Sequence, residues 1–192
     1  MNGLTKASLA TAAGLVLGLW SAEASLNSEG IFDVERIGAW RVSPRAGTPD
    51  ADPYTRAGLE RSGEIPLALG EGLRFIAHVD DKGRALDAAC RYQVGVRTPP
   101  ARYWTLSVVD RKGFPIENPA QRYGFRSSEL LRAANGDFRI AVAAAVQPGN
   151  WLPIGRRQSF ALVLRLYDSP ISATAGGINP RALPSIILEG CP

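Results

Sequence analysis

The sequence predicts a mainly β protein: an antiparallel β-sandwich, jelly-roll-like, with a short helix near the start of its folded part. Three observations predict this class. Apolar and polar residues alternate with period two in several stretches, which is typical of half-buried strands. The 20 glycines and 14 prolines among the 192 residues punctuate those stretches, and proline disfavours long helices. The alternation of strands with helices that a parallel sheet requires is absent from the sequence.

The N-terminal segment has the pattern of an export signal. Lys6 is followed by 16 residues without a charge, Ala7 to Ala22, and Ala22-Glu23-Ala24 is an A-x-A site. This pattern predicts a secretory signal peptide cleaved after Ala24. An uncleaved membrane anchor is the alternative, although the stretch is short of the roughly 20 apolar residues that cross a bilayer. We expect residues 1–24 to be a signal peptide or anchor and residues 25–192 to form one domain, periplasmic or anchored in the inner membrane facing the periplasm.

Export changes the interpretation of the two cysteines. In an oxidising compartment, a pair of cysteines more often forms a disulfide than a redox motif. A bridge between Cys90 and Cys191 would close a loop of about 100 residues, which stabilises by up to about 4.7 kcal/mol on the chain-entropy account. Two free buried thiols are the alternative.

One helix and a series of strands follow along the chain. Asp52 as N-cap, Pro53 in the first turn and Gly63 after the last turn predict a helix over Pro53–Ser62. The apolar residues between 31 and 40 fit either a helical stripe or the start of a strand. Period-two stretches then begin near residues 72, 90, 103, 138, 160 and 185, with turns at 81–83, 110–113 and 135–137 between some of them.

Composition excludes several chemistries. His78 is the single histidine, so with two cysteines the chain cannot build a standard zinc site. A serine triad would need His78 as its base, and no G-x-S-x-G elbow is present. The net charge of +4 is modest and the cations are scattered, which argues against a nucleic-acid partner. We therefore expect no metal and no cofactor.

Two segments carry candidate ligand-binding residues. Asn150 and Trp151 lie on what the sequence predicts to be a proline-stiffened loop, where an exposed indole beside an amide can stack on a sugar or an aromatic ligand. The alternative is that Trp151 caps the sandwich and Asn150 bonds to the backbone. Tyr54 and Arg56 lie on the predicted helix and either face a pocket or pack on the sheet.

Several motifs of the sequence also resemble those of a known protein family. The residues ADPYTRA, Cys90-x-Tyr92-x-Val94, ARYWTLSVVD, then NWLP from Asn150 and LRLY from Leu164, resemble the bacterial family of domain of unknown function 1214. The resemblance covers about residues 50–190 and implies a jelly-roll sandwich, which in larger relatives follows a second uncharacterised domain, number 1254. It implies no established activity. It gives weight only to motif positions such as Asn150, Trp151 and Arg165.

Together these observations predict an exported or membrane-anchored envelope protein without a catalytic role, which binds an unknown small ligand or an envelope partner. Contact with the membrane is expected only through the N-terminal segment, if that segment is retained. The alternative is a hydrolase-like enzyme that uses Asp, Tyr and Arg side chains in a cleft of the sandwich, because sandwiches support many activities.

Overall fold

The computed structural model describes residues 2–27, 34–68, 70–96, 98, 100–155, 159–170, 179 and 182–191. Within them the chain forms two helices, α1 (Gly3–Asn27) and α2 (Pro53–Ser62). The strands are β1 (Glu35–Ile37), β2 (Trp40–Val42), β3 (Gly72–Ala77), β4 (Arg91–Val96), β5 (Tyr103–Val109), β6 (Gly124–Arg126), β7 (Phe138–Ala143), β8 (Asn150–Pro153), β9 (Ala161–Tyr167) and β10 (Ser185–Gly190).

The strands form two sheets that enclose one apolar core. The first sheet has the order β1-β2-β3-β9-β5-β6 and the second the order β10-β4-β7-β8. Side chains that point inward from both sheets make a continuous cluster, with Trp40, Phe75 and Leu164 from the first and Ile140 and Ile186 from the second. The prediction of a mainly β fold with two sheets is confirmed. The second sheet is mixed rather than wholly antiparallel, because β7 and β8 run parallel.

The structure of the chain just before residue 43 distinguishes between the helix and the strand that the sequence left open there. β1 and β2 form an antiparallel hairpin in which Ile37 pairs with Trp40, and Gly38 between them has a φ of 63°. Glycine adopts this left-handed conformation without steric cost. Over the described residues 34–42 the strand interpretation is therefore correct and the helical one is wrong, while residues 31–33 lie outside the described residues.

The face of the six-stranded sheet that points away from the core, here called the outer face, is only partly polar. Successive residues of a strand point to opposite faces, so Arg41, Arg74 and Arg165 lie on the outer face between core residues. Val163 lies there too and is 1% exposed, and Ile76 packs against it. Charged and apolar side chains therefore alternate across this face.

Helix α1 is a candidate membrane span. Among the described residues it is the one helix long and apolar enough to cross a bilayer: the 24 residues Gly3–Leu26 contain an 18-residue window with a mean hydropathy of 1.4, and none of that window is buried. It runs unbroken through the A-x-A site. The Glu23 carboxylate near its end contacts the Arg61 guanidinium of α2, with an O–N distance of 2.7 Å. An apolar N-terminal helix of this kind is consistent with a signal or an anchor.

A disulfide joins the neighbouring strands β4 and β10 of the second sheet. The Sγ atoms of Cys90 and Cys191 lie 1.97 Å apart. Cys90 directly precedes β4 and Cys191 directly follows β10, so the bond lies at the end of the β4–β10 pair. A disulfide indicates an oxidising compartment.

Asp80 organises the turn after β3. Its carboxylate is 1% exposed and accepts hydrogen bonds from the Lys82 and Arg84 backbone N–H groups, each at 2.9 Å, and from Arg84 Nε at 2.8 Å. Burial alone would raise the pKa of Asp80, but these hydrogen bonds and the Arg84 charge outweigh it, so the pKa lies below its usual value. The carboxylate is therefore stabilised in its charged form.

We expect Asp80→Asn to lower the free energy of unfolding at pH 7 by about 2 kcal/mol, because hydrogen bonds to a buried charge are among the stronger ones. The lowered pKa means that this stabilisation is fully present above the unfolded-state pKa of about 3.9 and is lost as pH falls through the folded-state pKa. The difference in the free energy of unfolding between wild type and Asp80→Asn should thus be smaller at about pH 3 than at pH 7. Urea unfolding at the two pH values measures it.

Asp110 supplies a matched control in the turn after β5. Its Oδ1 likewise accepts the N–H groups two and four residues ahead, those of Lys112 at 2.8 Å and Phe114 at 3.0 Å. Asp110 is only partly buried, so Asp110→Asn should cost less than about 1 kcal/mol. Equal losses in the two variants would contradict the role given to Asp80.

Candidate functional site

The candidate site is a cleft of about 300 Å³ between α2 and the outer face. Helix α2 forms one wall, with Tyr54, Gly58 and Leu59 among its lining residues. The floor is formed by outward-facing residues of β2 and β3 and by His78 just beyond β3. The rim includes Ser25 and Leu26 at the end of α1 and the turn that contains Arg111 and Lys112.

Helix α2 forms where the sequence predicts, for the predicted reasons. Asp52 is the N-cap and accepts the N–H groups of Tyr54 and Thr55, at 2.9 and 3.0 Å. A hydrogen bond from the Thr55 hydroxyl is the main reason that the pKa of Asp52 lies below its usual value. Gly63 ends the helix in the left-handed conformation, with a φ of 66°. None of the ten helical residues is buried, so the helix leaves space beneath it.

Two arginines lie side by side at the floor. Arg74 of β3 pairs directly with Arg165 of β9 in the sheet register, an arrangement that is destabilising for like charges unless an anion offsets it. Glu64 provides that anion: its Oε1 lies 2.5 Å from Arg74 Nε and 3.6 Å from Arg165 Nη2. All three side chains are largely shielded from solvent, at 22 to 30% exposed. The C-terminal end of α2 positions Glu64, which follows directly after Gly63.

The cleft carries more positive than negative charge. Among the described residues that line it, the cations are Arg41, Arg74, Arg111 and Lys112, and the carboxylates are Asp52 and Glu64. Apolar side chains complete the lining, including Leu59, Leu67 and Ile76. The site therefore combines a cationic floor with apolar walls, which suits a ligand that has both an acidic and an apolar part.

The structure brings some of the predicted site residues to this cleft. Tyr54 lines it and is 46% exposed. Arg165 reaches its edge through Glu64. Arg56 is outside the lining, and its guanidinium donates a hydrogen bond to the carbonyl of Pro49. Of the five candidates, Tyr54 thus lines the cleft and Arg165 contacts its lining through Glu64. They lie there together with residues on which the sequence placed no weight, above all Arg41, Arg74 and Glu64.

Asn150 and Trp151 lie elsewhere, on β8 of the other sheet, which is a strand and not the predicted loop. Asn150 is 7% exposed; its Oδ1 accepts the Leu131 N–H at 2.8 Å, and its Nδ2 donates to the carbonyls of Leu131 and Arg139 at 2.8 and 3.0 Å. The half-buried Trp151 donates from its indole to the Ala143 carbonyl at 2.9 Å. The polar groups of both side chains therefore bond to the backbone of the protein itself.

The remaining titratable groups give little support for metal chemistry. In the part of the chain that the structure describes, no three side chains among His, Cys, Asp and Glu lie together so that they could hold a metal ion. The two carboxylates of the cleft are both engaged, Asp52 by the helix N-terminus and Glu64 by arginines.

Comparison with a solved structure shows a shared fold. The chain is similar to the VPA0106 protein from Vibrio parahaemolyticus, with 19% identity, a TM-score of 0.59, and coverage of 73% of this chain and 36% of that one. It is also matched to an uncharacterised protein from Burkholderia cenocepacia, with 19% identity, a TM-score of 0.40, and coverage of 75% and 44%. The chain thus spans less than half of either relative. No curated protein matches it.

The sequence also matches a protein-family model over residues 71–171. This range contains the part of the floor formed by β3 and His78, and also Arg165. It leaves out β2, and it leaves out α2 and Glu64, which close the cleft from above. The range covers more than half of the chain, and the chain belongs to the family described as "Protein of unknown function (DUF1214)".

Proposed function

We propose that this protein is a binding protein of the bacterial envelope, without catalytic activity, and that its ligand occupies the cleft between α2 and the outer face. The observation that carries the proposal is the cleft itself: about 300 Å³ in volume, at the low end of the range of small-molecule sites, with charged groups set among apolar ones. The fold does not fill this space, because α2 buries none of its residues.

Two observations support binding over catalysis. A carboxylate can act as a general acid or base only where it is available to the substrate. Asp52 is held by the start of α2 and Glu64 by Arg74 and Arg165, so the carboxylates that line the cleft are occupied by the protein. A hydrolase-like mechanism that uses one of these carboxylates would need that carboxylate to be released first.

Two further observations support a place in the envelope. Helix α1 has an apolar, unburied stretch, and the positively charged Lys6 lies near its N-terminal end. The disulfide between Cys90 and Cys191 is typical of a compartment outside the cytoplasm. We place the sandwich on the periplasmic side, either released after cleavage at Ala24 or held at the inner membrane by α1.

Gly58 allows the cleft to be closed by one substitution. It lies on α2 and lines the cleft, and a Cβ built there meets nothing within 4 Å. Gly58→Trp should fill the space without a backbone clash. Compounds that bind wild type in a thermal-shift screen of organic acids, sugars and amphiphiles should bind this variant at least about tenfold more weakly, a difference of about 1.4 kcal/mol.

Gly58→Ala is the control for this test. It leaves the cleft open and should stabilise α2 by about 0.8 kcal/mol, because alanine has the higher helix propensity. Its ligand affinities should match those of wild type. Compounds that bind Gly58→Trp as tightly as wild type would place the binding site outside the cleft and overturn the proposal.

A further inference from the structure

We infer that the ligand of this cleft is an organic anion, a carboxylate or phosphate head group on an apolar body, and that its head group takes the place of the Glu64 carboxylate between Arg74 and Arg165. This inference rests on the proposed function and specifies the chemical class of the ligand.

The sheet register fixes the two arginines as neighbours. Leu73 pairs with Leu166 and Phe75 with Leu164 on either side of the Arg74–Arg165 pair. These flanking residues are at most 3% exposed, so a shift of register would move buried side chains to the outer face. Two guanidinium groups on adjacent strands, fixed by the core beneath them, form a preorganised receptor for an oxyanion.

The carboxylate of Glu64 already occupies this receptor in the way that a ligand anion would. A single oxygen, Oε1, lies within 4 Å of both guanidinium groups. A ligand carboxylate, or two oxygens of a ligand phosphate, would place one oxygen against each arginine. Each guanidinium group could then donate hydrogen bonds to its own oxygen. The charge balance of the cleft also favours an added anion, since its lining has more cations than carboxylates.

The position of Glu64 in the chain allows it to leave. It directly follows the left-handed Gly63 that ends α2 and begins a stretch, residues 64–68, that is neither helix nor strand. The next residue, Ile65, is 88% exposed. Rotation of the Glu64 side chain away from the floor therefore needs no break in a sheet or helix, whereas Arg74 and Arg165 are fixed in strands.

The apolar body of the ligand follows from the walls. Leu59 of α2, Ile76 of β3, and Pro66 and Leu67 of the connecting stretch all line the cleft. An inorganic anion would contact the floor and leave these walls exposed to water, whereas an alkyl or aryl group would cover them. An amphiphilic anion thus satisfies both parts of the lining.

The test is calorimetric titration of the full chain in phosphatidylcholine nanodiscs, with empty nanodiscs as blank. The probes are hexanoate, hexyl phosphate, hexan-1-ol and inorganic phosphate. We expect hexanoate or hexyl phosphate to bind at least about tenfold more tightly than hexan-1-ol and inorganic phosphate. Tighter binding of hexanoate identifies a carboxylate ligand, and tighter binding of hexyl phosphate a phosphate ester. Equal binding of hexan-1-ol, or no binding of either amphiphilic anion, would overturn the inference.

Charge variants locate the head group. Glu64→Gln removes the competing carboxylate and should raise the affinity for the better probe about fivefold or more. Glu60→Gln is the matched control: it removes the same charge from an exposed position of α2 outside the cleft and should leave the affinity unchanged. Arg165→Gln should lower the affinity at least about tenfold. If Glu64→Gln and Glu60→Gln behave alike, the receptor is not the arginine pair.

A double variant guards against loss of folding. Glu64→Gln with Arg74→Gln removes one charge of each sign, so the net charge of the cleft stays the same as in wild type. It should lose the affinity that Glu64→Gln gains. If Gly58→Trp lowers the ligand affinity and no charge variant changes it, the binding proposal stands and the anion inference is wrong.

Discussion

Replacing both cysteines with serine will lower the free energy of unfolding by about 4 kcal/mol, because the disulfide closes a loop of about 100 residues in the unfolded chain. Cys90 and Cys191 are separated by 101 positions. The double variant Cys90→Ser/Cys191→Ser avoids leaving one reactive thiol. Urea unfolding followed by circular dichroism measures the change, and the denaturant slope should rise because the unlinked chain exposes more surface when it unfolds.

Reduction of the wild type provides the control. Under a thiol reductant, wild type should unfold at the urea concentration at which the double variant unfolds, and the reductant should not affect the variant. A loss smaller than about 1 kcal/mol would mean that the C-terminal strand β10 keeps the unfolded chain compact without the bond, contrary to the loop-closure argument.

The need for this bond follows from the position of β10 in the sheet. It is an edge strand whose one sheet neighbour, β4, precedes it by about 90 residues. Pairing strands so distant in sequence carries a loop-closure cost before any contact forms. Side chains contribute as well: the Asp81 carboxylate accepts the Ile186 N–H at 3.0 Å, and Arg91 contacts Glu189 at 2.8 Å. Burial raises the pKa of Asp81.

Features fixed by local chemistry were predicted from the sequence. The bounds of α2 follow from Asp52, Pro53 and Gly63, which act within a few residues of one another. The buried parity of β5 follows from alternation, which the strand displays by itself, whereas β9 is buried on both faces from Ala161 to Leu164. These signals need no knowledge of which strand pairs with which.

Strand pairing is the part that the sequence does not reveal. β3 lies between β2 and β9, so Arg74 and Arg165, 91 positions apart, become neighbours only in the sheet. Glu64 had no recognisable signal, since a single glutamate after a helix is ordinary. Arg74 lies in the period-two stretch that begins near residue 72, but nothing in one sequence connects the outer face of that strand to α2.

β8 shows why the NWLP segment was predicted to be a loop. Gly149 and Pro153 flank or end it, and both residue types usually mark turns. The segment instead pairs in parallel with β7, and residues 144–149 alone connect the two strands. Parallel pairs commonly need a connection of a dozen residues or more. Asn150 holds this unusual pair in place through bonds to Leu131 and Arg139, so its chemistry is consistent with a structural role.

Trp40→Ala will be about as destabilising as loss of the disulfide, at about 4 kcal/mol. The side chain is 2% exposed and lies in the core between the two sheets, and truncation of buried aromatic residues to alanine costs about 3–5 kcal/mol. Its indole Nε1 also donates to the carbonyl of Pro184 at 2.8 Å, across 144 positions of sequence. This bond connects β2 of the first sheet to the start of β10 in the second. Urea unfolding measures the loss.

Trp40→Phe separates packing from the hydrogen bond. Phenylalanine keeps most of the buried apolar surface but leaves the Pro184 carbonyl without its donor, which costs about 1–3 kcal/mol for a buried acceptor. Loss of the donor should loosen β10 more than β2, so amide exchange should accelerate at Ile186 before it does at Val42. Arg41, the neighbour of Trp40, lines the cleft from β2. If Trp40→Phe leaves anion affinity unchanged while Trp40→Ala lowers it, the floor of the cleft depends on how this indole packs β2 against the core.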